Sequence, residues 1–439
     1  MDNYDFLKVF SNNIYIYIII LLFISILYYI VFRREIFSVI DPLFLSLVYS
    51  IFAASVVFLL YFTNNISNYI FSNFCVTQLA FFAGFFSLKR INIFKTDKVL
   101  TKHLVNSNYS KFLFFIITSF IFIVTQLYTY YERGIPLFYE SRLEYYEGGS
   151  GFGIFSRILG VLSIVSLYAY FDLVFNRRIY TSFFFFFYSS FYALVMFASL
   201  LLSGSKSSFL VVTYVFFSYF FLNGQLSTFM KIWKKWRMLV IFSCLGVTLA
   251  IITVQSKSDT GPSPLIMLGY RFLSSGDIFW YSYPHDIIFT YPYHINGFEM
   301  LFNDMLGFLR IYSWDELRFH PGEYFYKIHH YSEITQGANA RHNLFGLLYF
   351  GYVGSIIFSF CMGLLVSFFR YQLPKLQSYG GIFVRAFVCY MYLKVLSIET
   401  DPTLFFSKLD DMIIIIFPIL LLYLISDSFF RVIPSYART

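Results

Sequence analysis

The sequence predicts an all-α polytopic membrane protein, and three observations support this prediction. Of its 439 residues, 58% are hydrophobic, only 13% are charged, and 24% are aromatic. Soluble domains carry roughly 25% charged residues, so this composition excludes an ordinary soluble protein and also a disordered one. Apolar runs of about 20 residues, the length that crosses a bilayer core about 30 Å thick, recur along the chain.

Each predicted span is an apolar run that ends at charged or turn-forming residues. The first run ends at Arg33-Arg34-Glu35 without a small-residue cleavage site, so we expect its helix to be retained. The eleven predicted spans are 13–32, 42–62, 69–87, 112–129, 155–175, 180–202, 208–222, 238–254, 343–369, 381–397 and 411–427. They divide the chain into N-terminal helices (1–254), a large loop (255–342) and C-terminal helices (343–439).

The distribution of Lys and Arg predicts the orientation. Alternate loops hold 18 of these residues, whereas the opposite short loops hold five. Because cytoplasmic loops are enriched in Lys and Arg, we expect an outer N-terminus and a cytoplasmic C-terminus. The large loop and a smaller one at 130–154 then lie on the outer face. The net charge of +8 is explained by this pattern, and no nucleic-acid partner is expected.

The large loop is the part of the sequence that carries information on function. It holds six of the seven histidines, nine acidic residues and five prolines. Loops of this length are usually functional or disordered, and its many Trp, Tyr and Phe residues argue against disorder. We expect it to contain short helices at the membrane interface that form a lid or a site.

Several classes of site have no signature in the chain. It contains no phosphate-binding loop, no dinucleotide fingerprint and no Asp-x-Asp pair. Histidine spacing typical of a zinc site does not occur either. We therefore expect no cofactor and no metal, and a substrate that arrives already activated.

Cationic residues on the predicted outer face are candidates for an anion site. Arg binds phosphate oxygens in a bidentate manner, and a lipid-linked diphosphate at the interface would fit. The alternative is that each cation reaches from a loop toward lipid headgroups. The candidates are Arg142, Lys206, Arg271, Arg310, Arg318 and Arg341.

Two residues are candidates for a general base. His342 ends the large loop at the start of the next span, and Asp277 follows Arg271 in a short polar stretch. Either side chain can accept a proton from a hydroxyl group. The alternatives are an interfacial histidine bonded to the backbone and a carboxylate with a structural role.

Three stretches resemble segments of the Wzy-type O-antigen polymerases, which join oligosaccharide repeat units. Residues 341–354, Arg-His-Asn-Leu-Phe-Gly-Leu-Leu-Tyr-Phe-Gly-Tyr-Val-Gly, look like the segment after the large periplasmic loop of that family. The turn Gly204-Ser205-Lys206-Ser207 is similar to its Gly-Ser-Arg turn, and Arg142 to Gly153 matches an Arg-x10-Gly pattern. The layout of helices and outer loops is also similar.

The resemblance implies a GT-C-like membrane glycosyltransferase of the bacterial inner membrane that acts in lipopolysaccharide or related polysaccharide biosynthesis. Such an enzyme transfers a glycan from undecaprenyl diphosphate onto another lipid-linked repeat, without metal or nucleotide, and would have a chain-length regulator as a partner. Arg341 would then act with His342 or Asp277 at the reaction centre, and Trp280 and Tyr281 would stack on sugars. The main alternative is a flippase for lipid-linked oligosaccharide; others are a different membrane transferase and a scaffold.

Overall fold

The structure is a computed structural model in which helices are the regular secondary structure. It describes residues 1–89, 108–139, 153–175, 183–205, 208–255, 264–292, 296–313, 320–330, 337–376 and 381–436. No strand occurs within these ranges. Eight helices in them are long and apolar enough to cross a membrane, so the protein is an all-α polytopic membrane protein.

The helices fall into two compact units. The first unit comprises Met1–Lys89, Thr260–Arg370 and Lys394–Lys408; the second comprises Arg90–Asp259, Tyr371–Leu393 and Leu409–Thr439. The helices up to residue 255 are α1 (Asn3–Asn12), α2 (Ile14–Phe32), α3 (Pro42–Phe62), α4 (Asn68–Phe86), α5 (Asn108–Arg133), α6 (Gly153–Phe175), α7 (Phe183–Leu202), α8 (Ser208–Leu222) and α9 (Leu226–Gln255). The later helices are α10 (Pro264–Leu273), α11 (Asp277–Ser282), α12 (Gly297–Leu301), α13 (Asn303–Phe308), α14 (Pro321–His329), α15 (His342–Ser367), α16 (Leu373–Leu376), α17 (Ile382–Lys394), α18 (Ser397–Thr400) and α19 (Pro402–Tyr436).

Eight of the eleven predicted spans correspond to the eight long apolar helices. The other three are not among these eight. The span predicted at 208–222 is a helix of 15 residues, and the one at 381–397 is a helix of 13 residues. The span predicted at 238–254 is only the second half of the 30-residue α9, because the basic stretch before it consists mostly of good helix formers.

The N-terminal end of α3 is capped by residues of its own sequence. Asp41 accepts a hydrogen bond from the backbone N–H of Leu43 at 3.0 Å, and Pro42 occupies the first helical position, where its missing N–H costs nothing. The Asp41 carboxylate also forms a buried ion pair with Arg370, with 2.6 Å between Oδ2 and Nη2. A buried pair of this kind fixes the start of α3 against the region that follows α15.

Helix α15 was predicted as a single span, and the structure corrects this prediction. Gly351 has φ 67° and ψ −170°, a conformation outside the helical region that is essentially restricted to glycine. The helix therefore consists of two arms, 342–350 and 352–367. In a straight helix, His342 and Ser359 would lie about 25 Å apart, yet His342 Nδ1 and Ser359 Oγ are separated by 3.0 Å. The two arms thus run antiparallel as a helical hairpin.

Polar side chains and glycines hold this hairpin against α4. Asn343 donates to Thr77 Oγ1 at 2.9 Å and to Gln78 Oε1 at 3.2 Å. Nearer the tip, Asn73 donates to Ser355 Oγ at 2.8 Å. A Cβ atom on Gly84 or Gly363 would overlap a backbone carbonyl of the other helix, so small residues permit this close packing.

The second unit is held partly by charged groups between its helices. Lys111 Nζ lies 2.9 Å from Asp172 Oδ2, and Arg157 Nη1 lies 2.7 Å from Asp411 Oδ1. Both carboxylates are almost fully buried. These four side chains therefore form two ion pairs inside the unit.

Candidate active site

The segment that connects α10 to α11 packs along the middle of α3. The Phe272 ring stacks on Tyr49 and Phe52, with centroids 5.6 and 5.3 Å apart. Ser275 Oγ donates to the Tyr49 carbonyl oxygen at 3.0 Å. About 20 Å of helix separates Tyr49 from Phe62 at the end of α3. The large loop was predicted to hold short interfacial helices. It does contain short helices, but this segment extends deep among the long ones.

Gly276 permits this close approach. A Cβ atom added to it would lie 3.0 Å from Ala53 Cα and 3.1 Å from two side-chain atoms of Val56. Distances this short mean that a larger residue would push the segment away from α3. Asp277 follows directly and begins α11, so its position depends on this contact.

The Asp277 carboxyl group is partly buried and has a pKa near neutral pH. Its Oδ1 accepts a hydrogen bond from the backbone N–H of Ile278 at 2.8 Å. Burial raises the pKa of Asp277 to about 7, although the Ile278 hydrogen bond and the charges of Arg271 and Arg341 lower it. Within the described ranges, no Lys, Arg or His side chain lies within ion-pair distance of this carboxylate. A carboxyl group with these properties can accept a proton near neutral pH.

Arg271 and two tyrosines surround Asp277. Arg271 lies in the last turn of α10 and is exposed. Tyr270 is 37% exposed, and burial together with the negative charge of Asp277 raises the pKa of both Tyr270 and Tyr326. The site thus combines an exposed guanidinium, a carboxyl group and accessible phenol rings.

Arg341 is buried and makes its polar contacts with the protein itself. It is 3% exposed, and its Nη1 lies 2.7 Å from Glu399 Oε1. Its Nε donates to the Ser275 carbonyl at 3.1 Å, and its Nη2 donates to the Tyr49 carbonyl at 3.3 Å. The role predicted for Arg341 as a diphosphate ligand therefore has no support from its surroundings, which point to a positioning role.

Glu399 is the residue of this site that the sequence reasoning missed. It lies in α18, 58 residues after Arg341, and no local motif connects the two. The signal available was only an acidic residue in a short polar stretch between two apolar runs. Glu399 also lines a small cavity of about 20 Å³, together with Gln78 and Phe81.

His342 lies away from solvent, beside α4. The side chain is 0% exposed, and its ring stacks on Phe81 with centroids 4.6 Å apart and an interplanar angle of 15°. Its Nδ1 is hydrogen-bonded to Ser359 Oγ. A general base must lie within hydrogen-bond distance of the proton that it accepts, so this enclosed position gives no support to the predicted base role.

The aromatic residues predicted to bind sugars are covered by α1. Trp280 is fully buried and stacks on Phe6, with centroids 4.0 Å apart. Its Nε1 donates to Asn3 Oδ1 at 3.2 Å, and the Tyr281 hydroxyl donates to the same atom at 2.7 Å. Stacking on a sugar is therefore supported for neither residue, since Trp280 is fully buried and Tyr281 is only 2% exposed.

Of the remaining predicted cations, Arg310 is described by the structure and is not brought to this site. Arg310 is exposed and follows α13 with φ 58°, in a segment whose Gly297 and Phe302 contact Phe350 and Phe406. Arg142, Lys206 and Arg318 lie outside the described residues. Of the predicted cations that the structure describes, it places Arg271 at this site and Arg341 behind Asp277.

Among the described residues, no group of three or more His, Cys, Asp or Glu is arranged to hold a metal ion. His329 Nε2 is 2.8 Å from the Tyr281 carbonyl, and burial lowers the pKa of this histidine. Comparison of the chain with protein-family models, with curated proteins and with solved structures finds no match.

Proposed function

We propose that the protein is a membrane glycosyltransferase that transfers glycans from a lipid diphosphate carrier onto an acceptor hydroxyl. The observation that carries this proposal is Asp277, a partly buried carboxyl group without an ion-pair partner among the described residues, next to the exposed Arg271. The carboxyl can act as a base and the guanidinium can bind phosphate oxygens. Both lie on a segment that is packed against a membrane-spanning helix.

The proposed reaction needs little beyond these groups. The acceptor hydroxyl oxygen attacks the anomeric carbon and gives its proton to the Asp277 carboxylate. The bond between the anomeric carbon and the phosphate oxygen breaks, and the diphosphate leaves with the bonding electron pair. Because a diphosphate is a weak base, Arg271 has only to stabilise its charge. The half-exposed Tyr270 offers a ring face to the sugar.

In the proposed biological setting, the carrier is undecaprenyl diphosphate and the product is an O-antigen or similar polysaccharide in the bacterial inner membrane. This assignment follows the sequence resemblance and the predicted orientation, in which the N-terminus lies outside and the C-terminus in the cytoplasm. Repeated block transfer would lengthen the glycan at the outer face, with a chain-length regulator as partner.

One observation favours the alternative, a flippase for lipid-linked oligosaccharide. Transporters often contain discontinuous helices at membrane depth, and α15 is broken at Gly351 with its first arm folded back beside α4. A polar interior beside such a break could form part of a passage for a polar headgroup.

The two functions are separated by reconstituting the purified protein in vesicles with undecaprenyl-diphosphate-linked repeat units. A transferase lengthens the glycan, whereas a flippase only changes the leaflet in which the lipid is found. We expect lengthening, and a loss of roughly a hundredfold in rate for Arg271→Ala, as when a charge-stabilising donor is removed. Lys234→Ala, at an exposed position of α9, is the control. Equal rates for the two variants would refute the role of Arg271.

A further inference from the structure

The Arg341 side chain connects the segment that carries Asp277 to α3 and to α18. The Arg341 guanidinium donates to the carbonyl oxygens of Ser275 and Tyr49 and forms its ion pair with Glu399. Ser275 is two residues before Asp277, and its hydroxyl donates to the same Tyr49 carbonyl. The segment is thereby attached to the Tyr49 carbonyl of α3 in two ways, directly through the Ser275 hydroxyl and through Arg341, which bridges the Ser275 and Tyr49 carbonyl oxygens.

The ion pair is what keeps the Arg341 guanidinium in this place. Arg341 is 3% exposed and Glu399 is 6% exposed, so neither charge is well hydrated. A buried charge without a partner is strongly unfavourable. If the Glu399 carboxylate were absent, the guanidinium would lose its only ion-pair partner among the described residues, and its two bonds to carbonyl oxygens would alone have to hold it.

We infer that Arg341 and Glu399 are a positioning pair that holds Asp277 in place and determines the net charge behind its carboxyl group. This inference rests on the proposed function in one respect, namely that Asp277 is the base. Arg341 is thereby assigned to the support of the carboxyl group, and Arg271 to the binding of substrate.

The electrostatic part of the inference follows from the charges around Asp277. The groups that face it are Arg271 and Tyr270 from α10, Tyr281 from α11, Tyr326 from α14 and Arg341. Arg341 favours the ionised form of Asp277, and Glu399 offsets part of that effect because it neutralises Arg341. Glu399→Gln should therefore lower the pKa of Asp277, and Arg341→Met should raise it.

The test follows the titration of Asp277 without relying on catalysis. The melting temperature is measured against pH for the full chain and for Asp277→Asn, in the wild-type, Glu399→Gln and Arg341→Met backgrounds. Within each background, the difference between Asp and Asn isolates the contribution of Asp277. In the wild type this difference grows between about pH 4 and pH 7 and then levels off, because the folded chain holds the proton longer than the unfolded chain.

The pH at which the difference levels off should move in opposite directions in the two variant backgrounds. It should fall by roughly one unit in Glu399→Gln and rise by roughly one unit in Arg341→Met, the size of shift expected from a neighbouring charge. A purely structural pair would lower the melting temperature at every pH and leave this point where it is, and that result would overturn the inference.

A conservative variant keeps the test valid if Arg341→Met does not fold. Arg341→Lys retains the charge but not the three-way hydrogen bonding, so the titration point should stay near that of the wild type while kcat for glycan transfer falls about tenfold or more. A shift of the point in Arg341→Lys as large as that expected for Arg341→Met would contradict the inference. If the points move as predicted but the wild type lengthens no glycan, the proposed function fails and the electrostatic coupling stands.

Discussion

Replacing Glu399 by Gln should destabilise the first unit far more than the loss of an exposed ion pair does. The Arg341 guanidinium would lose the carboxylate 2.7 Å away and would remain buried. Removal of one partner of a buried pair costs about 3–5 kcal/mol. We expect about 3 kcal/mol for this variant, because the bonds from Arg341 to the Ser275 and Tyr49 carbonyls remain.

The assay is equilibrium unfolding in detergent, with a control in the same unit. Lys327 and Glu323 form an ion pair of 2.8 Å in α14 with a lysine side chain that is 32% exposed. Glu323→Gln should cost only about 0.3–0.5 kcal/mol, because the Lys327 ammonium that it leaves is partly hydrated. The double variant Arg341→Met/Glu399→Leu should cost less than the sum of its single variants, with a coupling of about 2 kcal/mol. A cost below about 1 kcal/mol for Glu399→Gln, or strictly additive costs, would refute the reasoning.

Four further predictions concern Asp277 and the hairpin of α15. Turnover should rise with pH through about 7 and then level off, because the raised pKa of Asp277 keeps the carboxyl protonated below that value; a plateau reached by pH 5 in a pH–rate profile would contradict this. Because the raised pKa makes ionisation of Asp277 unfavourable in the folded chain, Asp277→Asn should be more stable than the wild type above pH 7, by up to roughly 4 kcal/mol. Equal melting temperatures of the two proteins would exclude this effect. Gly351→Ala should cost about 1–3 kcal/mol from backbone strain alone, since the added Cβ meets open space, whereas Gly160→Ala within α6 should cost nothing; equal costs in thermal unfolding would count against the hairpin. His342→Phe should retain turnover, with a loss of about 1 kcal/mol from the Ser359 hydrogen bond; a folded but inactive variant would return the base role to His342.

The long helices could be predicted because their cause is local. The span predicted at 42–62 coincides with α3, the span at 13–32 begins one residue before α2, and the span at 69–87 is shifted by one residue from α4. Continuous apolar runs bounded by polar residues define such helices. The prediction that began the last span at 411 missed the start of α19 at Pro402, although Asp401 before a proline is a helix-start signal.

The hairpin and the buried ion pair could not be predicted, because each depends on contacts distant in the sequence. Hydropathy does not distinguish one apolar helix from two arms, and a glycine with positive φ looks like any other glycine in the sequence. Glu399 and Arg341 are 58 residues apart, so only the fold brings them together. Asp277 was identified from its neighbour Arg271, which is local information, whereas the burial that raises its pKa is not.

The central claim is that Asp277 is the base of a glycan transfer reaction, and one measurement tests it most directly. Purified wild-type protein and Asp277→Asn are incubated with undecaprenyl-diphosphate-linked repeat units, and the products are separated by length. We predict a ladder of lengthened glycans for the wild type and a rate at least about a hundredfold lower for the variant, which keeps the shape of the side chain. Equal ladders from both proteins, or no lengthening by the wild type, would contradict the claim.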